Sequence, residues 1–449
     1  MEKQGFKTTS QYFRNAGTIW FILGILLSIV GHLELTQFLF QLSDVIWYGK
    51  LQPVLINIFI FGSILSYFFG AIFEELDNIK VEIIKPTIVG SLTFAIYQIS
   101  LIFGIIVLMY GYNQGRSYGE LNFIADNLFM LVFTIVIVLT LIYAKKSEQL
   151  TGSLQFSIIT LAGIITTYFL GNFGFPNSYI TTVPPTSGFQ DALVQGYYKT
   201  SIFVFYIALP LLFLLYTAIK NVYAIKDEDQ NFIYPLMILV LLVAFSSGAG
   251  LEKSAFRNFW TIIGDYIFAS INMVLLGIAY MIHRIYHQKK EKQPSFILTV
   301  GGTLLSILFF YNFIISLPVI HKYFQYTFSD SFVLYNKLIY ILLPIYIAYN
   351  NAINFNLKKN VSSWVSFLIL FLGIIVFLIF SIEGIVVAKS IYGINQNELM
   401  AKDWNTILDK NLIFINIRMI IDIVFLLFSI YIIPFSLKEN NIIEQKQAA

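Results

Sequence analysis

The stretch KTSIFVFYIALPLLFLLYTAIK (199–220) decides the fold class, because none of the 20 residues between Lys199 and Lys220 is charged. A helix needs about 20 mainly apolar residues to cross the hydrocarbon core of a bilayer. Similar runs recur along the 449-residue chain, which is 57% hydrophobic and only 12% charged. A soluble domain carries about 25% charged residues. The sequence therefore predicts an integral membrane protein that crosses the bilayer many times.

Apolar length alone predicts about twelve membrane spans and an all-α membrane bundle. The interruptions between spans are short and polar, and the two longest, 174–199 and 389–411, are too small for a soluble domain. We therefore expect a single transmembrane domain over residues 1–449. The predicted spans lie near residues 16–38, 53–73, 87–110, 121–144, 153–173, 200–219, 231–250, 259–283, 296–319, 328–349, 362–388 and 412–436.

The distribution of lysine and arginine predicts the orientation of the bundle. With an even number of spans both termini lie on the same side, and the opposite loops hold roughly half as many basic residues as the loops on that side. Because positively charged loops remain in the cytoplasm, we expect both termini to be cytoplasmic. The expected location is the inner (cytoplasmic) membrane.

Composition excludes several kinds of site and partner. The chain has no cysteine, which removes disulfides, thiolate metal ligands and cysteine nucleophiles. A net charge of +3 is too small to indicate a nucleic-acid partner. Four histidines are a small supply for a metal enzyme. They are His32, His283, His287 and His321.

Four stretches resemble, in the same order, the signatures of one membrane protein family. YGKLQPVLINIFIFG (48–62) is similar to the pattern G-R-L-R-P-L-H-T-N-A-V-I-F, and GYNQGRSYGEL (111–121) is similar to G-Y-T-x-G-x-E-Y-A-E-L. QDALVQGYYKTSIFVF (190–205) is similar to Q-D-A-M-V-Q-W-W-Y-G-H-N-A-V-G-F, and IRMIIDIVFLLF (417–428) resembles the last helix of the family. The chain thus resembles subunit I of the heme-copper oxidases, specifically the cbb3-type cytochrome c oxidase.

This resemblance implies a twelve-helix bundle that transfers electrons from cytochrome c to oxygen and couples the transfer to proton movement. In the family, six histidines ligate haem b groups and copper, since neutral imidazole binds both iron and copper well. The active-site tyrosine of the family aligns with Val243. The haem-ligand positions are occupied by Leu55, Ser329 and Ser331, and the copper-ligand positions by Thr200, Ala249 and Gly250.

We therefore predict that the metal ligands of the family are replaced and that no haem or copper cofactor is bound. Four histidines cannot supply six ligands, whatever the alignment. His283 and His287, spaced i, i+4, indicate either a metal site or, beside Arg284, a basic helix edge at the membrane surface. His321 aligns with a family histidine that is not a metal ligand, and it suits either a contact with a cofactor propionate or a plain interface position.

Charged residues inside predicted spans are costly and indicate function by default. Arg418 and Asp422 are spaced i, i+4, so they either neutralise one another within the helix or take part in transport. Asp265 shares its span with Asn272 and Tyr280, a series typical of a remnant proton route or of hydrogen bonds between helices. The predicted intramembrane polar network comprises Asp265, Glu383, Arg418 and Asp422.

Three hypotheses for function follow. The first is a redox-inactive relative that serves as a structural, assembly or regulatory subunit of a respiratory membrane complex. Its expected partners are other respiratory subunits in the bilayer, such as a histidine-bearing oxidase subunit I or a membrane-anchored cytochrome c. The second is an active terminal oxidase or nitric oxide reductase subunit with unusual ligands. The third is a proton or ion conduit that uses the polar network.

Overall fold

The computed structural model describes most of the chain, with gaps between the helices. The described residues are 6–36, 48–79, 86–112, 120–147, 151–172, 175–176, 182–183, 189–223, 232–248, 259–288, 296–317, 320, 331–353, 363–392 and 412–430. These residues form twelve helices, and a pair of two-residue antiparallel strands lies between the fifth and the sixth. The other residues of the chain are outside this description.

The elements are numbered here in chain order, and α2 and α6 each contain a π-helical segment. The bounds are α1 Lys7–Leu35; α2 Tyr48–Asn57, π-helical Ile58–Ile64 and Leu65–Asn78; α3 Pro86–Met109; α4 Phe123–Lys146; α5 Gly152–Asn172; β1 Phe175–Pro176; β2 Thr182–Val183; α6 Phe189–Ser201, π-helical Ile202–Ala208 and Leu209–Tyr223; α7 Ile233–Ala244; α8 Phe259–Gln288; α9 Phe296–Ser316; α10 Ser331–Ile353; α11 Ser363–Tyr392; and α12 Leu412–Ile430.

The predicted fold class, an all-helical membrane bundle, is confirmed. Ten helices of the described chain are long and apolar enough to cross a membrane. The other two, α7 and α10, contribute shorter apolar helices, Ile233–Ala244 and Lys337–Ile353. Each of the twelve predicted spans overlaps one of the twelve helices.

Two predicted boundaries are wrong. The connection expected at 174–199 is shorter, because α6 begins at Phe189, eleven residues before the predicted span 200–219. Hydropathy detects the part of a helix that contacts hydrocarbon, and it misses a polar extension of the same helix. The span expected at 231–250 contains a helix that ends at Ala244, followed by a 3-10 turn at Ser246–Gly248. At 1.5 Å per residue this helix is about 18 Å long, less than the hydrocarbon core.

Helices α2, α6 and α10 form the centre of the bundle, and each contacts the other two. The most apolar windows of α2 and α6 are completely buried by protein. In α10, every side chain from Lys337 to Asn350 is buried. A helix that is apolar on all sides requires this kind of enclosure, whereas the outer helices expose one face to lipid. The central helices are also the ones that carry Leu55, Thr200 and Ser331.

Both π-helical segments lie in these central helices, shortly after Leu55 and Thr200. Ile58–Ile64 begins three residues after Leu55, and Ile202–Ala208 begins two residues after Thr200. The second segment ends just before Pro210, which has no N–H to donate to the preceding turn, so a widened turn accommodates it. π-Helical turns are rare and often accompany functional sites. The two segments contact one another in the interior.

A glycine C-cap ends α3 at the start of the second family-like stretch. Gly111 has a φ of 88°, a left-handed conformation that glycine adopts without strain. Its N–H donates to the carbonyl of Leu108 at 2.8 Å, and the N–H of Tyr112 donates to Val107 at 3.2 Å. This pair of bonds is a Schellman motif, which satisfies the last carbonyls of the helix.

Candidate functional site

Three of the residues singled out by the sequence alignment, Leu55, Thr200 and Val243, have described side chains. Leu55 on α2 is fully buried, and Val243 on α7 is 1% exposed. Thr200 on α6 is buried, and its hydroxyl donates to the carbonyl of Gly196 at 3.2 Å. A threonine hydroxyl bonded one turn back is engaged within its own helix. These three positions therefore present packing groups and an internally bonded hydroxyl.

Several predicted site residues lie outside the described part of the chain. Ser329, Ala249, Gly250 and His321 are in undescribed connections. Ser331 is the first residue of α10, but its side chain is not described. His287 likewise has a helical backbone only, whereas His283, one turn earlier, is exposed at the end of α8. Among the described residues no three His, Asp or Glu side chains gather in a way that could hold a metal ion.

Two of the family-like stretches meet through a buried amide. The Asn57 amide nitrogen donates to the Pro53 carbonyl at 2.8 Å and to Glu120 Oε2 at 3.2 Å. Asn57 belongs to the stretch 48–62, and Glu120 belongs to 111–121. The first bond is to the carbonyl of the helical proline itself, one turn back, and the second fixes the loop after α3 against α2. The structure thus gives these two stretches a shared packing role.

A stacked pair of tyrosines closes the interface between α2 and α10. The rings of Tyr67 and Tyr346 are parallel within 7°, with centroids 3.7 Å apart. The Tyr67 hydroxyl lies 2.6 Å from Thr18 Oγ1 and accepts from the Asn350 amide at 3.1 Å. The Tyr346 hydroxyl lies 2.8 Å from Ser63 Oγ. Each hydroxyl therefore has a partner, as buried tyrosines require.

A second polar region comprises Lys337, Glu383, Arg418 and Asp422, here called the charged cluster. Arg418 Nη2 forms an ion pair with Glu383 Oε1 at 3.1 Å, and Arg418 is only 2% exposed. Lys337 Nζ lies 4.3 Å from the centroid of the Tyr311 ring. The Phe380 ring lies between the two cations, 5.1 Å from Arg418 Cζ and 5.3 Å from Lys337 Nζ. Ion pairing and cation–π contacts offset the removal of these charges from water.

Asp422 joins the charged cluster to α1 and α10. Its Oδ2 accepts from Ser28 Oγ at 2.9 Å, and its Oδ1 accepts from the Tyr340 hydroxyl at 2.5 Å. His32 Nδ1 lies 3.6 Å from the same carboxylate and 2.8 Å from the Ser28 carbonyl. With two cations and two carboxylates the fully ionised cluster sums to zero charge. Neutrality and direct bonding are what buried charges require.

The structure brings together Glu383, Arg418 and Asp422 of the predicted polar network, but with different pairing. The direct bonds of Arg418 and Asp422 run to other helices and not to one another. The guanidinium extends sideways to α11, and the carboxylate is held by hydroxyl groups of α1 and α10. The i, i+4 spacing is compatible with a pair, but side chains of three packed helices supply closer partners than the next turn does.

Asp265 and Asn272 are buried in α8, with 6% and 0% exposed, while Tyr280 of the same series is 66% exposed. The Asn272 amide donates to the carbonyl of Phe268 at 2.9 Å, one turn back. The three side chains therefore do not line a common interior face. The series that indicated a remnant proton route divides between the inside and the outside of the bundle.

Lys337, His32 and Tyr340 belong to the polar interior but not to the predicted network. Lys337 lies nine residues inside the predicted span 328–349, and a lysine at that depth is a usable signal. His32 lies inside the predicted span 16–38 and is completely buried. Its contact with α12 joins residues 390 positions apart in sequence, which no local pattern predicts.

A third polar contact ties α2, α5 and α6 together at one end of the bundle. Lys220 Nζ donates to Glu75 Oε2 at 2.6 Å and to Ser153 Oγ at 3.1 Å. Ser153 also donates to Glu75, at 3.0 Å. The neighbouring Glu74 accepts from the Tyr349 hydroxyl of α10 at 3.1 Å. Two adjacent carboxylates thus connect α2 with the ends of three other helices.

Comparison with known proteins gives limited but consistent information. No protein-family model matches the chain. Among curated proteins the chain is similar to cytochrome c oxidase subunit 1 of Rhodobacter capsulatus, with 22% identity over 263 residues. The match covers 57% of this chain and 45% of that protein, so the chain spans about half the length of the relative. Together with the helical membrane bundle, this similarity supports a relationship to subunit I of the heme-copper oxidases.

Proposed function

We propose that this chain is a redox-inactive relative of subunit I of the cbb3-type heme-copper oxidases, and that it serves as a structural, assembly or regulatory subunit of a respiratory membrane complex. Four stretches in family order and the similarity to an oxidase subunit I support the relationship. Under this proposal the chain keeps the scaffold, and the haem and copper ligands are replaced.

The observation that carries the proposal is the side-chain packing of α2 around Leu55, the position that aligns with a haem ligand of the family. Leu55 is fully buried, and the apolar window of α2 is completely enclosed by protein. A leucine side chain offers no donor atom to a porphyrin iron. The enclosure of Leu55 fits an interior that fills its own space, as stability requires.

The proposed partners are other respiratory subunits, with a histidine-bearing oxidase subunit I or a membrane-anchored cytochrome c as the leading candidates. The proposed location is the inner membrane, with both termini in the cytoplasm. Capture of the tagged chain from native membranes in mild detergent tests the proposal, with quantification of every co-purifying polypeptide. We expect respiratory subunits to co-purify with the chain in a fixed ratio. They should not co-purify with the control, a tagged transporter of similar size. Capture without respiratory subunits would contradict the subunit role.

Oxygen and nitric oxide reduction by the same purified complex tests the enzymatic alternative. We expect any turnover to depend on the histidine-bearing partner and to disappear when this chain is purified alone. Turnover by the isolated chain would establish an active oxidase or reductase with unusual ligands and would overturn the redox-inactive proposal.

The charged cluster favours one second candidate, a proton or ion conduit, because charges at membrane depth often mark transport paths. Reconstitution into liposomes with a pH-sensitive dye tests it. If the chain conducts, Glu383→Gln lowers the flux, because it removes a carboxylate from the path. Asp265→Asn tests the other carboxylate of the predicted network in the same way. The matched control is Asp126→Asn, a buried carboxylate of α4 outside that network. Flux equal to that of empty liposomes would exclude the conduit.

A further inference from the structure

A membrane-facing groove lies between α6, α8 and α9, apart from all the polar contacts described above. Its cavity volume is about 570 Å³, within the usual range for small-molecule sites. Six of its fifteen lining residues are leucine or isoleucine, and all three helices contribute to them, for example through Leu212, Leu276 and Leu298. Because the groove opens on the lipid side of the bundle, its occupant must come from the membrane.

The register of the three helices shows which residues share each end of the groove. Phe203 of α6 contacts Phe268 of α8 at 5.6 Å and Phe309 of α9 at 6.4 Å, so these three mark the same depth. From that depth α6 and α8 run in the same direction toward their C-terminal ends. Helix α9 is antiparallel to them, so its N-terminal residues lie at that same end. The lining residues Ile219, His283 and Thr299 therefore lie at one end of the groove. Leu212, Met273 and Ser306 lie toward the other end.

The groove is polar at one end and apolar at the other. Tyr280, His283 and Thr299 line the end nearest the C-terminal ends of α6 and α8. Toward the bilayer centre the wall is aliphatic, and the hydroxyl of Ser306 is already bonded to the Gly302 carbonyl at 2.9 Å. A gradient from polar to apolar over one leaflet matches a lipid, with its headgroup at the surface and its acyl chain toward the centre.

Two glycines keep the groove open. A Cβ atom added at Gly277 or at Gly302 would meet no other atom within 4 Å. Both residues line the groove, one on α8 and the other on α9. In contrast, a Cβ atom at Gly301 would lie 3.1 Å from Ile345 of the neighbouring α10, as expected for a helix–helix contact. Within the part of the chain that the structure describes, Gly277 and Gly302 therefore do not serve packing between helices.

The polar end of the groove is basic. His283 and Arg284 are exposed there, and the sequence continues into Lys289, Lys290 and Lys292. Basic residues at the membrane surface attract anionic lipid headgroups, and their long side chains reach the headgroup layer. The apolar face of a partner's transmembrane helix would not pair with this positive charge, whereas the phosphate of a lipid complements it.

We infer that this groove is a binding site for an anionic phospholipid, with an acyl chain along Gly277 and Gly302 and the phosphate beside His283 and Arg284. This site is independent of the proposed redox-inactive role. The lipid fills the open space between α8 and α9, and its headgroup offsets the positive charge that follows α8. Replacing Gly277 and Gly302 with leucine should block the part of the groove that holds the acyl chain. Neutralising Arg284 should remove the selectivity for an anionic headgroup.

Native mass spectrometry of the full chain tests the site with matched phosphatidylglycerol and phosphatidylcholine as probes. We expect wild type to retain phosphatidylglycerol more tightly, and Arg284→Gln to weaken that lipid alone by about fivefold. The double variant Gly277→Leu/Gly302→Leu should lose retention of both lipids. Ala162→Leu, on an exposed face of α5, is the matched control and should retain both.

Photo-crosslinking gives a second readout that does not depend on affinity. Phosphatidylglycerol with a diazirine in its acyl chain should label residues 273–280 and 302–306 of the wild-type chain. Labelling spread evenly over the lipid-facing helices would overturn the inference, as would equal retention of the two lipids with no effect of the leucine variants. Loss of a co-purifying membrane polypeptide from the leucine variants, with lipid retention unchanged, would assign the groove to a partner helix and also overturn it.

Discussion

Replacement of Tyr346 by alanine tests whether the interface between α2 and α10 is filled by the protein itself. The ring of Tyr346 stacks on Tyr67, contacts Phe21 edge-on at 5.5 Å and reaches Ser63 through its hydroxyl. All of this lies in the interior, because Tyr346 is fully buried. If the stack fills this interface, removal of the ring must leave a cavity.

The magnitude follows from separating the hydroxyl from the ring. Tyr346→Phe removes one neutral hydrogen bond, which averages about 0.6 kcal/mol between membrane helices. Tyr346→Ala also removes the ring, and truncation of a buried aromatic residue costs about 3–5 kcal/mol. Tyr67→Phe removes two hydrogen bonds and is expected to fall between these values, at about 1.2 kcal/mol.

Unfolding in mixed micelles, titrated with SDS and followed by circular dichroism, measures these differences as changes in the free energy of unfolding. Ser63→Ala serves as the control for the hydroxyl bond and should match Tyr346→Phe, with the double variant no worse than either one. A cost for Tyr346→Ala as small as that of Tyr346→Phe would refute the reasoning, because it would mean that the ring fills no space.

Three further predictions concern other parts of the interior, with the same unfolding assay. Glu383→Gln removes the carboxylate that pairs with the buried Arg418 guanidinium, and it should lower the free energy of unfolding by about 3–5 kcal/mol. A double variant that makes both positions apolar should recover most of that stability. A double variant with no recovery would contradict the ion pair. Gly163→Ala should destabilise the protein by about 1–3 kcal/mol, because the added Cβ would overlap the phenylalanine ring packed on Gly163. Gly277→Ala, in open space, should raise stability by up to about 1 kcal/mol. Equal effects of the two variants would refute the close packing at Gly163. Tyr340→Phe removes a hydroxyl from a carboxylate and should cost about 1.5–3 kcal/mol, more than loss of a neutral bond.

The fold was predictable from sequence because one physical requirement governs it. An uncharged run of 20 residues such as 200–219 must be a helix in the bilayer, since only a helix lets a single segment satisfy all of its backbone hydrogen bonds there. The boundaries were less predictable. The polar residues before Thr200 belong to the same helix from Phe189 onward, and the apolar run at 231–250 contains a helix that ends at Ala244.

The polar interior was predictable only in part. Glu383, Arg418 and Asp422 were identified as costly intramembrane charges, and the structure places them together. Their partners were not predictable, because Ser28 lies 394 positions from Asp422 and meets it only through helix packing. Spacing along one helix favoured a pair within α12, but contacts across helices decide which groups bond.

The most direct test of the central proposal is the ratio of haem and copper to protein in the purified chain, from pyridine haemochrome spectra and elemental analysis. The chain should be expressed in cells that fully load a histidine-bearing oxidase subunit I prepared in parallel. We predict neither stoichiometric haem nor stoichiometric copper in a monodisperse preparation. One or more haems per chain, with a Soret band that responds to reduction, would contradict the account.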